Sequence, residues 1–209
     1  MSTDSELAQP ELAGIEVHGT TRGAFIVRGA LAAGAVFGAS TVGPFVSEAL
    51  AAGGGGDADI LNFALTLEYL ETAFYKKAQT LGLSAKTMKL AKAFGAQEAQ
   101  HVAALTKAIS GAGATPVKSP KFSFPITDEA SFLKLAVTLE DTGVSAYNGA
   151  APSIQSTAVL AAAGSIVQIE ARHAAAIRNA AGKFPTIAAF DKPLGKSAVL
   201  AAVKPLIKG

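Results

Sequence analysis

The stretch LTLEYLETAFY at residues 65–75 is answered by VTLEDTGVSAY at residues 137–147, and QEAQH at residues 97–101 by QIEARH at residues 168–173. Leu61, Ala64, Thr66, Leu67, Glu68 and Tyr75 fall on Leu133, Ala136, Thr138, Leu139, Glu140 and Tyr147, each 72 positions further on. The same offset carries Ala91, Glu98, Ala99, His101, Ala103, Ala104 and Ala108 onto Ala163, Glu170, Ala171, His173, Ala175, Ala176 and Ala180. No gap is needed, and two copies of a helix pair is the simplest reading.

Helix signals agree with the repeat. Asp57 or Asp59 can cap a first helix running to about Thr80, with a stripe of Leu61, Ala64, Leu65, Glu68, Thr72 and Tyr75 at helical spacing. Ser84 can cap a second, with Leu90, Phe94, Glu98, His101 and Leu105 on its stripe and an end near Ser110-Gly111. A third follows Thr127-Asp128 through Phe132, Ala136, Leu139, Glu140 and Tyr147. Pro152-Ser153 opens the fourth, which carries Leu160, Ala163, Ile166, Val167, Glu170, His173 and Ile177 and ends at Gly182 and Pro185. The segment from Gly111 to Pro125 holds three prolines and is long enough to run from one end of a bundle to the other. Four helices with one long crossover give an all-α, ferritin-like four-helix bundle. The tail, residues 183–209, is expected to add a short helix around Lys196 to Val203.

The acidic residues and histidines sit where a core should be. Each helix pair supplies one Glu from its first helix and Glu-x-x-His from its second, and residues three apart share a helix face. The set is Glu68, Glu98, His101, Glu140, Glu170 and His173. From Ala52 onward the chain has six glutamates and two histidines, and both histidines have a Glu three positions before them. Buried carboxylates without compensation cost several kcal/mol each, and no Lys or Arg lies on these stripe positions. Two divalent cations would balance four carboxylates with both histidines neutral. Oxygen ligands with two imidazoles suit iron or manganese, and zinc can also be held. A metal-free bundle with plain His–Glu contacts, copied by duplication, is the alternative.

Tyr75 and Tyr147 each lie seven residues after a candidate ligand Glu, two turns along the same face. Two roles fit: hydrogen bonding to a ligand or electron transfer on one side, core filling on the other. Glu71 and Asp141 read as surface helix charge, with Glu71 as a possible extra ligand.

Composition sets outer limits. The chain has 209 residues, is 50% hydrophobic and 16% charged, and has a net charge of +2, which excludes a disordered chain. It has no cysteine, which excludes disulfides, thiolate metal sites and cysteine nucleophiles. It has no tryptophan, its aromatics are 7%, and it has no Lys/Arg cluster, so no nucleic-acid partner is expected. Residues 1–52 read as an export leader. Arg22 and Arg28 flank or enter the run AFIVRGALAAGAVFGASTVGPFVSEALAAG, and Ala49-Leu50-Ala51 offers a cleavage site. Thr21 to Ile26 is similar to a twin-arginine signal, with Gly23 in place of the second arginine. A retained anchor is the alternative, although Arg28, Pro44 and Glu48 interrupt the apolar run. Residues 53–56 then form a glycine linker, 57–182 the bundle and 183–209 the tail.

The four quoted motifs resemble the ferritin-like superfamily. They are most similar to the bacterial ferritin-like-domain group related to plant desiccation-related proteins, and more distantly to rubrerythrin and manganese catalase. The resemblance covers about Asp57 to Ala181, and all six of its ligand positions are occupied here. It implies a carboxylate-bridged pair of metal ions, Fe first and Mn second. Glu98 and Glu170 would bridge, Glu68 and Glu140 would be terminal, and His101 and His173 would each hold one ion. It further implies a partner in dioxygen or peroxide. A rubredoxin-like donor domain is missing, so a redox cycle would need an external electron donor. Three activities follow as expectations: iron oxidation or peroxide removal at a di-iron site, peroxide dismutation at a dimanganese site, or a non-catalytic, stress-protective metal bundle. A periplasmic or extracellular location and a homodimer complete the expectations.

Overall fold

The computed structural model describes residues 55–208 and, separately, two short strands, β1 (Glu16–Val17) and β2 (Thr20–Thr21), paired antiparallel as Glu16↔Thr21. The rest of the expected leader lies outside the described residues. Among the described residues there are five α-helices: α1 (Gly55–Ala78), α2 (Ala85–Gly111), α3 (Glu129–Ala150), α4 (Thr157–Ala180) and α5 (Lys196–Val203). None of them is long and apolar enough to cross a membrane.

α1 packs chiefly against α2, and α3 against α4, so each sequence repeat is one helix pair. The pairs meet through α1 on α3 and α2 on α4. The caps follow the sequence closely. The Ser84 side chain accepts from the Thr87 N–H and starts α2. Asp128 caps α3 in a box with Ser131, two orphan N–H groups being satisfied reciprocally. Glu129 reaches across to α2. Its carboxylate accepts from the Ser84 N–H (2.5 Å), the Ser84 hydroxyl (2.9 Å) and the Thr87 hydroxyl (2.6 Å). The Ser84 amide and Thr87 hydroxyl hold that carboxyl below its usual range.

Three details differ from the expectation. α1 begins at Gly55, inside the stretch read as a linker. Asp57 therefore sits within the first turn, fully buried, and does not cap its own helix. Its carboxylate accepts instead from the backbone N–H groups of Gln155 (2.8 Å) and Ser156 (2.9 Å), and so ties α1 to the entry of α4. The fourth helix does not open at Pro152-Ser153. Residues Ala151–Ser153 form a separate 3₁₀ turn, and α4 starts at Thr157 with Ser156 as its cap. The Ser156 hydroxyl accepts the Val159 N–H and caps α4, while Ser153 is taken up in the 3₁₀ turn. Asp57→Ala leaves two backbone donors without their acceptor and should cost about 2 kcal/mol, measured as a lower urea midpoint; Asp57→Asn, which keeps one acceptor oxygen, should cost less.

The crossover and the tail meet. β3 (Lys121–Phe122) pairs antiparallel with β4 (Ile207–Lys208), and Ser123 donates to the Leu206 carbonyl at 2.9 Å. α5 lies against α3 and buries Val199 and Val203. The approach to α5 runs so close to α3 that Gly149 is obligatory: a Cβ there would lie 2.0 Å from the Leu194 carbonyl oxygen. Phe74 and Phe132 stack with centroids 5.3 Å apart, and Phe74 meets Tyr75 edge-on at 5.4 Å. This aromatic core joins α1 to α3 and forms an apolar wall beside the buried polar groups.

Candidate metal centre

All six sequence-predicted groups converge between the four long helices. Glu68, Glu98, Glu140 and Glu170 are buried, and so is His173. Glu68, Glu98, His101 and Glu170 each bring a donor atom within 4.8 Å of the others, and so do Glu98, Glu140, Glu170 and His173. Glu98 and Glu170 belong to both groups. Each presents one oxygen to each histidine. Glu98 Oε2 lies 2.9 Å from His101 Nδ1 and its Oε1 lies 2.8 Å from His173 Nδ1. Glu170 Oε1 lies 3.0 Å from His101 Nδ1 and its Oε2 lies 3.7 Å from His173 Nδ1. Glu68 Oε2 stands 3.2 Å from His101 Nδ1, and Glu140 Oε2 stands 3.7 Å from His173 Nδ1.

The donor set fits metal ions. Glu98 Oε1, Glu140 Oε2, both Glu170 oxygens and His173 Nδ1 are buried and make no hydrogen bond. Such groups are rare in a folded interior because each forfeits its solvation. They belong to residues whose donor atoms lie within 4.8 Å of one another, where a cation would restore what burial removed.

Burial raises the Glu68 carboxyl to about 8, against the pull of His101. Burial likewise raises Glu140 well above the ordinary range, with Glu170 and Glu98 adding to it. Burial would also raise Glu98, but His101 and His173, both close against its oxygens, outweigh it and hold that carboxyl at about 2. Burial disfavours a charged His173, yet Glu170 and Glu98 outweigh it and lift the imidazole to about 10. His101 is raised in the same way, chiefly by Glu68. Cation binding at these raised groups would therefore compete with protons.

The tyrosines resolve one open question. Tyr147 donates to Glu68 Oε1 at 2.5 Å, and Tyr75 donates to Glu140 Oε1. Each hydroxyl therefore serves the Glu of the other repeat, not the one seven residues before it on its own helix. Helix-face spacing alone cannot reveal this, because the partner lies across the interface between the pairs. Burial raises both phenols well above their usual value, and the Glu partners add to the shift. They hold the carboxylates as donors and keep their protons.

Glu71 is not surface charge. It is 3% exposed, and its carboxyl is raised by burial and by Glu170, Glu140, Glu98 and Glu68. Asp141 forms a hydrogen-bonded ion pair with the buried Arg178, which also donates to the Pro185 carbonyl at 2.9 Å and so pins the start of the tail. Gln97 carried no signal in sequence: its Oε1 lies 2.6 Å from His173 Nε2. If that nitrogen donates, the Nδ1 lone pair is left for the carboxylate side, the usual way an outer partner orients an imidazole ligand.

The ferritin-like domain family matches residues 56–183, and the chain belongs to it. The crystal structure of a conserved hypothetical protein of Mycobacterium tuberculosis, rv2844, is similar in fold, with a TM-score of 0.57 at 20% identity over 65% of this chain and 96% of that one. A search of the curated proteins finds no match.

Proposed function

We propose that the chain is a dinuclear metal carboxylate protein with iron as its first occupant, and that it reacts with dioxygen or peroxide. Glu68 and His101 complete one metal position, Glu140 and His173 the other, and Glu98 and Glu170 are shared. The carrying observation is the sharing: both central glutamates split their two oxygens between the two histidines. These residues would hold Fe(II), whose oxidation would supply the electrons for reducing dioxygen or peroxide. The chain's own residues do the rest. The Tyr75 and Tyr147 hydroxyls orient the two terminal carboxylates. Phe94, stacked 4.0 Å from the His173 ring, and the Phe74–Phe132 wall keep water from that side. His101 remains 12% exposed against 2% for His173, so small molecules reach the centre from the His101 side.

No cysteine-based donor exists in the chain, so the iron cycle draws electrons from an external donor. The same fact favours one second reading, a manganese pair that dismutates peroxide with no donor at all. Export, expected from the leader, would put either reaction in the periplasm or outside the cell in a protective role. Protein purified from its own host, with metals counted per chain by mass spectrometry, tests this. Near two Fe per chain supports the first reading. Near two Mn, with peroxide turnover in the absence of reductant, supports the second. No metal and no uptake of added Fe(II) or Mn(II) refutes both.

A further inference from the structure

The 72-residue repeat makes the two halves of the centre equivalent at every proposed ligand, so the places where the repeat fails near the centre are informative. There are two. Glu71 corresponds to Gly143, and Gln97 corresponds to Ile169.

Both departures act on the same side. Glu71 stands on the helix of Glu68, yet its carboxylate leans across to α3. A Cβ on Gly143 would lie 3.2 Å from Glu71 Oε1 and 3.8 Å from Glu170 Oε2. Gly143 thus leaves the space that the Glu71 carboxylate occupies. Glu170 Oε2 is the oxygen turned toward His173. Gln97 in turn meets His173 Nε2, while Ile169 has no polar group to offer His101 in the equivalent place. The His173 position, which already has Glu98, Glu140 and Glu170, therefore gains a fourth carboxylate nearby and an oriented imidazole. The His101 position has neither, and its histidine is the more exposed of the two.

We infer that the two metal positions are unequal: the Glu140/His173 position loads first and holds its ion, while the Glu68/His101 position is the weaker, exchangeable one at which exogenous ligands and incoming metal arrive. This rests on the dinuclear reading. Extra negative charge near a cation in a dry interior adds to its binding, and a partner that fixes an imidazole ligand is commonly worth about 10–100-fold in metal affinity. The two effects fall on one position and so separate the two binding steps.

Titration of the metal-free full-length chain with Mn(II), followed by calorimetry and by electron paramagnetic resonance, tests this. The wild type should bind two ions in two steps at least about tenfold apart. The first equivalent should give the spectrum of an isolated ion and the second a coupled pair. Glu71→Gln and Gln97→Leu should each weaken the first step about tenfold or more and leave the second within about threefold. Gly143→Ala, which crowds the Glu71 carboxylate from the opposite helix, should act in the same direction. His101→Ala should keep the tight step, and His173→Ala should lose it. Circular dichroism at each titration point verifies that a variant is folded. Two ions bound with equal affinity, or variants that weaken the second step or both steps alike, would overturn the inequality and leave the dinuclear reading intact. A wild type that binds no Mn(II) and no Fe(II) would overturn both.

Discussion

Replacing Glu98 with alanine should abolish binding at both metal positions, whereas replacing Glu68 with alanine should abolish it at one. Glu98 is the only α2 carboxylate at the centre, and its two oxygens lie 2.9 Å and 2.8 Å from the two histidine nitrogens. Its low proton affinity keeps it charged at every physiological pH. Removing it takes one ligand and one negative charge from each position at once. Loss of an outer partner already costs about 10–100-fold in metal affinity, and loss of a shared ligand should exceed that at both sites. Glu68 touches only the His101 group, so its loss should leave the Glu140/His173 group able to bind one ion. Metal counts per chain after equilibrium dialysis distinguish the outcomes. An E98A chain that retains two ions would disprove the shared geometry.

The second large effect couples metal to stability and pH. Without metal, folding holds a proton on Glu68 up to about 8, whereas an unfolded chain gives it up at the ordinary value of 4.5. The folded state binds more protons across that window, so stability falls as pH rises through it. His173 acts in the same sense. Its stabilising contribution is complete below 6.5 and is lost as pH rises toward about 10. Glu98 has the opposite sign, since its contribution is present above 4.5 and is lost as pH falls toward about 2. The metal-free chain should therefore melt highest between about 4.5 and 6.5 and lower at pH 8–9. Bound metal reverses that slope, because ligation needs deprotonated carboxylates and imidazoles. At a hundredfold excess over Kd each ion adds about 2.7 kcal/mol. Two ions should then raise the melting temperature by roughly 10–20 °C at pH 8 for a chain of this size. Scanning calorimetry from pH 5 to 9, with chelator and with Mn(II), reads both slopes. Parallel curves would refute the proposal that protons compete with metal ions.

Much of this centre is legible in one dimension. The offset of 72 residues pairs Glu68 with Glu140 and the first Glu-x-x-His with the second, and 3.6-residue periodicity then turns all six groups inward. The caps Ser84 and Asp128 are local chemistry, readable because side chain and backbone partner lie within four residues. The tail helix Lys196–Val203 is legible for the same reason: good helix formers between Gly195 and Pro205.

What escaped the sequence acts over distance. Asp57 has the residue type and position of an N-cap, yet it serves backbone nearly a hundred residues away. Glu71 is a charged helix residue one turn from Glu68 and off the apolar stripe, and reads as surface charge. Its burial depends on Gly143, on another helix, having no side chain. The tyrosines sit at helical spacing from one glutamate and bond the other.

The sequence by itself determined the helix pairs, their twofold repetition and the six-group donor set, because period, capping and residue chemistry are properties of neighbours along the chain. Only the tertiary structure decided which tyrosine holds which carboxylate, that Glu71 is buried and what Gln97 meets. Those depend on how two helix pairs dock, and a few ångströms at that interface bring together side chains that no local spacing connects.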